Sequence, residues 1–436
     1  MYKISVLGTG YVGLTAGVGL ASFGSKVLCL DIDKEKIEKL KKGISPIYEE
    51  GMEELLKKNI DDKRIEFSTD IENGIKWADI IFLAVGTPPL EDDSADLSYI
   101  EEAAKEIGRN LNGYKVVVTK STVPVGTNKK LKKIIANNDP NDHEFDIVSN
   151  PEFLREGSAI HDFFHPDRVV VGTESERPIE AIKRIYRPLY LNETPFVFTD
   201  LETAETIKYA SNCFLAMKIT FINEMARFCD ASGANVQTIA KALGMDGRIS
   251  PKFLHPGPGY GGSCFPKDTK ALAYTARKFN TPLELIETTI KSNEEQKHYA
   301  AKKILKMIGN PKDKKVGLLG LAFKPGTDDM RDSSAIVIID DLLKAGVKEI
   351  RAFDPQAMEN AKKIFKDKIT YCSNEYEVAQ NSDIIVIVTE WNQFRNLNLQ
   401  KIKSLMKGSA FCDLRNVYKP DEVKEAGFVY EGVGIK

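Results

Sequence analysis

At 436 residues the chain exceeds what one hydrophobic core usually organises, so two or three domains are expected. Its hydrophobic (42%) and charged (28%) fractions are those of an ordinary folded protein, and 61 Lys and Arg against 63 Asp and Glu leave a net charge of -2. That balance provides no basic field for nucleic acid or an anionic membrane surface, so an anionic substrate has to be met by local donors.

The six cysteines, Cys29, Cys213, Cys229, Cys264, Cys372 and Cys412, show neither CxxC pairing nor metal-ligand spacing. This predicts no disulfide framework, no metal site and a reducing, cytoplasmic setting. The apolar stretch 4–23 superficially resembles a signal peptide. Gly8, Gly10, Gly13, Gly17 and Gly19 crowd it, however, and Asp31 and Asp33 follow without a cleavage site, so a soluble, unsecreted chain is expected.

Residues 4–7 read as a buried parallel strand, followed by a glycine turn, a small-residue helix over 12–23 and a second strand over 26–30. Further strands at 79–85, 115–119 and 146–149, with a helix over 97–109, predict a doubly wound α/β domain. Residues 201–232 contain no Pro or Gly and keep helical spacing, which predicts one long helix in a helical middle domain. From Lys315 the alternation resumes: a strand over 315–320, a helix over 334–343, and a strand over 349–353 that ends at Asp354 as its counterpart ends at Asp31. Residues 381–388 echo 77–84. The expected fold is two Rossmann-like doubly wound α/β domains, 1–200 and 309–436, joined by a mostly helical domain, 201–308. Clefts between such domains commonly hold nucleotides.

Gly8-Thr9-Gly10-Tyr11-Val12-Gly13 is a G-x-G-x-x-G directly after a strand and opening a helix, with Asp31 where the ribose carboxylate is expected. Gly8 permits the tight turn, Gly10 a close approach of backbone to pyrophosphate, and Gly13 close helix–strand packing. A carboxylate at Asp31 repels a 2′-phosphate and favours NAD over NADP, whereas Lys36 places a cation nearby that works against this preference.

The segment from Gly257 to Asp268 contains four glycines with Pro258 and Pro266, which exclude a regular element and fix an irregular loop able to turn backbone N–H groups toward a ligand. Cys264 stands at its end, and Lys267 or the N-terminus of a following helix would favour its thiolate. That setting marks Cys264 as a nucleophile, whereas the other five cysteines read as small buried hydrophobes. Glu205, Lys208 and Asn212 fall on one face of the long helix. They form either oxyanion donors or a solvated polar stripe.

These motifs, together with 120–126 (KSTVPVG), 150–157 (NPEFLREG), 261–268 (GGSCFPKD) and 320–327 (GLAFKPGT), resemble the UDP-glucose/GDP-mannose dehydrogenase family over essentially the whole chain. The resemblance implies NAD as cofactor, no metal, and oxidation of a sugar C6 alcohol to a carboxylate in two hydride transfers through a thiohemiacetal and a thioester on Cys264. It points to UDP-glucose as substrate, with GDP-mannose as the alternative, and less readily to a two-electron hydroxyacid-type dehydrogenase. It makes 1–200 the NAD-binding domain, 201–308 the dimerisation domain and 309–436 the UDP-binding domain. By it Lys208 and Asn212 stabilise the oxyanion, while Asp268, Glu152 and Thr122 position water or move protons. Gly8, Gly10, Tyr11, Val12, Gly13, Asp31, Lys36, Thr87, Thr122, Glu156, Lys267 and Arg331 become cofactor contacts. Glu152, Phe153, Leu154, Lys208, Asn212, Phe253, Tyr260, Gly261, Lys324 and Arg415 become substrate contacts, and Arg248 would reach a neighbouring subunit's substrate, implying a homodimer. Tyr260 stands where Phe is frequent and Leu414 where Gly often stands, the latter bearing on nucleobase recognition.

Overall fold

The computed structural model describes residues 2–435, divided between two compact units: one holds residues up to 211 with 274–279, the other 212–273 with residues from 280 onward. In the first unit the short apolar runs form β1 (Lys3–Leu7), β2 (Lys26–Leu30), β3 (Ile65–Ser68), β4 (Ile80–Leu83), β5 (Lys115–Thr119), β6 (Phe145–Ser149), β7 (Val169–Thr173) and β8 (Phe196–Thr199). They make one sheet in the order β3-β2-β1-β4-β5-β6-β7-β8, parallel except where β7 runs antiparallel to β6. Alternate residues feed two cores. Ile4, Val6, Phe82 and Val118 line one face, and Leu7, Ile81, Leu83 and Val117 the other, which is why these strands read as continuous hydrophobic runs. The sequence reading flagged neither β3, β7 nor β8; β3 and β8 are only four residues long and partly exposed.

The helix Tyr11–Ser22 is buried on all sides from Gly13 to Ala21, which accounts for its lack of a polar face. Its glycines make that burial possible: a Cβ on Gly17 would lie 2.5 Å from Cys29 Sγ, and one on Gly19 would lie 2.1 Å from the Phe163 ring.

The second unit repeats the plan with β9 (Lys315–Leu319), β10 (Glu349–Phe353), β11 (Thr370–Tyr371), β12 (Ile384–Ile387), β13 (Ala410–Asp413) and β14 (Val429–Gly432). The order is β11-β10-β9-β12-β13-β14, parallel throughout. Counted from the first strand, this is the order of the first six strands of the other sheet, so the internal echo between 77–84 and 381–388 marks a repeated topology. The unit also contains Val236–Gly244, Glu284–Ile308 and residues 212–232 of the 32-residue helix Leu201–Ser232. Ile222, Ala226 and Cys229 of that helix share a core with Ala300, Ala301, Ile304 and the strands. Two Rossmann-like parallel sheets with a helical region between them in sequence is the expected fold class. Among the described residues no helix is long and apolar enough to cross a membrane.

Candidate active site

The first group of site residues sits at the carboxyl ends of β1, β2, β4, β5 and β6, where open parallel sheets bind ligands. Gly8 turns the chain with φ +96°, a conformation costly for other residues, and its N–H donates to Leu30 O at 2.8 Å. Gly10 caps the helix Tyr11–Ser22, and a Cβ there would meet nothing within 4 Å. A Cβ on Gly13, by contrast, would lie 1.9 Å from Gly8 O. Space before the helix N-terminus and tight packing behind it suit a pyrophosphate.

Asp31, just past β2, accepts from Thr9 N at 2.9 Å, Thr9 Oγ1 at 2.6 Å and Asp33 N at 3.1 Å, and pairs with Lys36 Nζ at 3.0 Å. Burial pushes its carboxyl up, but these donors outweigh burial and hold it below the usual carboxylate range, so it is ionised. The Lys36 ammonium, which by sequence worked against NAD, is committed to this carboxylate. The turn, the open approach and an anionic acid together fit NAD.

Two further ties join neighbouring segments. Thr87 Oγ1 donates to Thr122 O at 2.9 Å, joining the segments after β4 and β5. Tyr11 donates its hydroxyl to Glu49, whose carboxylate also accepts from Gly157 N at 2.8 Å and Ala159 N at 2.7 Å. Burial, then the Glu49 carboxylate, push the Tyr11 phenol far up, so it stays neutral. Glu49 thus ties the glycine turn to the segment that follows Glu156. No sequence signal had singled it out.

Glu152 is buried beside β6, with Oε1 2.9 Å from Lys208 Nζ and Oε2 accepting from Leu154 N at 2.5 Å. The Phe153 ring carries the Arg168 guanidinium at 3.6 Å on its face and Lys208 Nζ at 5.4 Å. Glu205, Lys208 and Asn212 do share one helix face, but all three are buried, so the solvated-stripe alternative falls. Glu205 is structural: it accepts from Gly126 N, Asn128 N and Asn128 Nδ2 at 2.6–2.7 Å.

In the second unit Cys264 precedes the helix Phe265–Lys278, and its carbonyl accepts the first helical bond from Asp268 N at 2.8 Å. The cysteine therefore caps the helix, where a thiolate is stabilised by the N-terminal dipole. Ser263 Oγ lies 3.5 Å from its sulfur. The buried Asp268 carboxylate is shared between Lys267 Nζ and Asn212 Nδ2, each at 2.6 Å. Burial drives Cys213 up to about 12, so this neighbour of Asp268 is inert, as expected for a structural thiol.

The glycine loop is held by side chains that the sequence reading missed. Asn293 takes both backbone groups of Tyr260, Oδ1 from its N–H at 2.8 Å and Nδ2 to its carbonyl at 3.1 Å. Asn223 and Gln296 do the same for Gly257. Gly262 adopts φ +85° and donates to Arg331 O at 2.8 Å, and a Cβ on Gly261 would lie 2.3 Å from Asp332 O. Phe253 and Tyr260 each pack on Phe265, with ring centroids 6.1 and 6.0 Å away. Arg415 donates to Val388 O and Phe323 O and pairs with Glu390, and Lys324 lies over the Phe323 ring at 5.5 Å. Arg331 is braced by Asp329. Arg248 is 90% exposed and, among the described residues, pairs with Asp246.

The chain matches family models along most of its length: the "UDP-glucose/GDP-mannose dehydrogenase family, NAD binding domain" over 2–190, the central domain over 202–295 and the UDP binding domain over 317–420. It is 50% identical over 436 residues to UDP-glucose 6-dehydrogenase of Rhizobium meliloti, covering 99% of each chain. It is 45% identical to UDP-glucose 6-dehydrogenase TuaD of Bacillus subtilis, covering 100% of this chain and 93% of that one. The solved UDP-glucose dehydrogenase of Pyrobaculum islandicum superposes with a TM-score of 0.93 at 36% identity, covering 100% of this chain and 98% of that one. With a glycine turn suited to NAD, a helix-capping cysteine in a clamped loop and buried Lys, Asn and carboxylate partners, the chain belongs to the UDP-glucose/GDP-mannose dehydrogenase family.

Proposed function

We propose that this protein oxidises the C6 alcohol of UDP-glucose to the carboxylate of UDP-glucuronate, a four-electron reaction that uses two NAD and one water. The observation that carries the reading is Cys264 capping its helix, with Asp268 bridging Lys267 and Asn212 four residues along. When bound, NAD accepts one hydride in each of the two oxidations. Between them the Cys264 sulfur adds to the C6 aldehyde, and the resulting thiohemiacetal is the species oxidised to the thioester. Lys208 and Asn212, one turn apart on the same helix, donate to the oxygen as it gains charge. Glu152 then takes a proton from the attacking water, the C–S bond breaks, and the thiol is restored. Asp268 and Thr122 orient water and hold protons in these steps.

Gly8, Gly10, Tyr11, Val12, Gly13, Asp31, Lys36, Thr87, Thr122, Glu156, Lys267 and Arg331 serve the cofactor. Phe153, Leu154, Phe253, Tyr260, Gly261, Lys324 and Arg415 hold the nucleotide sugar, with Lys324 and Arg415 meeting the diphosphate. Residues 1–200, 201–308 and 309–436 divide these tasks as NAD-binding, dimerisation and UDP-binding domains, and the enzyme works in the cytoplasm. Phe214, Phe221 and Phe228, spaced by seven along the long helix and exposed, offer an apolar stripe for a second copy, which supports a homodimer. The exposure of Arg248 supports its reach into the partner's site.

NADH yield tests the reaction: about two NADH per UDP-glucose are expected, and a yield near one, or preference for GDP-mannose in initial rates, overturns it. Cys264→Ser should lower turnover by orders of magnitude, because an oxygen ester forms and hydrolyses poorly; near-normal turnover refutes the thioester. Mixing inactive Cys264→Ala with Arg248→Ala subunits tests the dimer, since cross-subunit supply of Arg248 gives each hybrid one fully intact site and restores activity, whereas supply within one subunit leaves none.

A further inference from the structure

Behind Glu152 lies a buried cation that the mechanism above does not use. Lys120 directly follows β5, and its Nζ donates to Asn150 Oδ1 at 3.0 Å and to Tyr186 OH at 3.3 Å. Tyr186 donates to the same Asn150 oxygen at 2.9 Å, while Asn150 Nδ2 donates to Val170 O at 2.7 Å and its N–H to Thr119 O at 2.9 Å. Asn150 is thus pinned at every polar group of its side chain. It stands two residues before Glu152, with Pro151 between them fixing one backbone dihedral, so its orientation is passed on to that carboxylate. The charged groups that act on Lys120 are the Glu152 carboxylate and the Lys208 ammonium.

A lone ammonium in such a place costs several kcal/mol of desolvation, and an apolar side chain of like volume would serve the core as well. Burial pulls Lys120 down to about 8, opposed by Glu152 and reinforced by Lys208; these two and the neutral Tyr186 phenol are the titratable groups that face it.

We propose that Lys120 is a positioning residue for thioester hydrolysis, holding Glu152 in place through Asn150. The inference rests on the reading that Glu152 activates water. Lys120→Met removes hydrogen bonds and charge, and Lys120→Gln retains a donor without charge and gives the same test should the Met variant not fold. Glu152→Gln is measured beside them. In either Lys120 variant kcat should fall about tenfold or more while KM for NAD changes less than about twofold. The melting temperature should hold, since the lost group is a costly buried charge. The covalent thioester should accumulate in intact-protein mass during turnover. Normal turnover overturns the inference, as does activity lost only in proportion to folded protein. If Glu152→Gln traps the thioester and neither Lys120 variant does, this inference alone fails. If Glu152→Gln hydrolyses normally, the reading of Glu152 fails with it.

Discussion

The two sheets share one strand order yet treat the same corner differently. After β1 the turn is Gly8-x-Gly10-x-x-Gly13 and the helix starts at Tyr11; after β9 it is Gly320-x-Ala322-x-x-Pro325, and the next helix starts only at Ser334. Gly8 and Gly320 adopt nearly the same positive φ, 96° and 95°, so the turn itself is kept. What differs is the acid at the end of the second strand. Asp354 is fully buried and accepts from five N–H groups, those of Leu321, Ala322, Gln356, Ala357 and the Trp391 indole. Asp31 is partly exposed, and two of its four donors are side-chain groups, Thr9 Oγ1 and Lys36 Nζ, which ribose hydroxyls can replace. A carboxylate at one topological position is thus a ligand group in one sheet and an internal strut in the other.

Four measurements sharpen or break this contrast. The largest effect is expected for Asp354→Ala, which leaves five buried donors without their acceptor. Destabilisation of about 3–5 kcal/mol, read by denaturant unfolding, is expected, and a normal midpoint would remove the strut. Next is Gly13→Ala, whose Cβ has nowhere to go. It should cost about 1–3 kcal/mol and NAD binding together, whereas Gly10→Ala should keep the melting temperature and lose only NAD affinity. Equal melting losses in the two would show that the open approach is illusory. Asp31→Ala should raise KM for NAD by about tenfold or more, as expected when a bound hydroxyl loses its acceptor, with a far smaller stability change than at Asp354. Unchanged KM would dissociate Asp31 from the ribose.

The smallest effect is on pH. Burial raises Asp413, at the end of β13, to about 6, above its unfolded value of 3.8, so the native state binds its proton more tightly. Its stabilising contribution is therefore full below about 4 and lost as pH rises through about 6. Asp31, lowered, has the opposite sign: its contribution is present above 3.8 and lost as pH falls through its lowered value. Carboxyl titrations followed by NMR in the native protein should show the two bracketing the ordinary value, and coincident midpoints would contradict the burial difference.

Much of this was legible in the sequence because it depends on local chemistry. A glycine at positive φ, an acid at the end of a strand and a Pro- and Gly-free stretch of 32 residues each announce themselves within a few turns of chain. The cysteine loop was visible for the same reason. Its clamps were not: Asn223, Asn293 and Gln296 reach it from helices about 30 or more residues away in sequence, and an Asn in a helix reads as an ordinary polar residue. Lys120 and Glu49 stayed silent likewise, since burial turns an unremarkable charge into a committed one.

The sequence by itself determined the periodicities, the glycine turn after the first strand, the cysteine loop and the family, all properties of residues near one another in the chain. Only the tertiary structure decided which charges lost water. It took Lys36 to Asp31, Lys208 to Glu152, Asn212 to Asp268 and Lys120 to Asn150, and it separated Asp31 from Asp354. Desolvation depends on what packs around a group, and long-range packing is the one quantity that spacing along a chain does not encode.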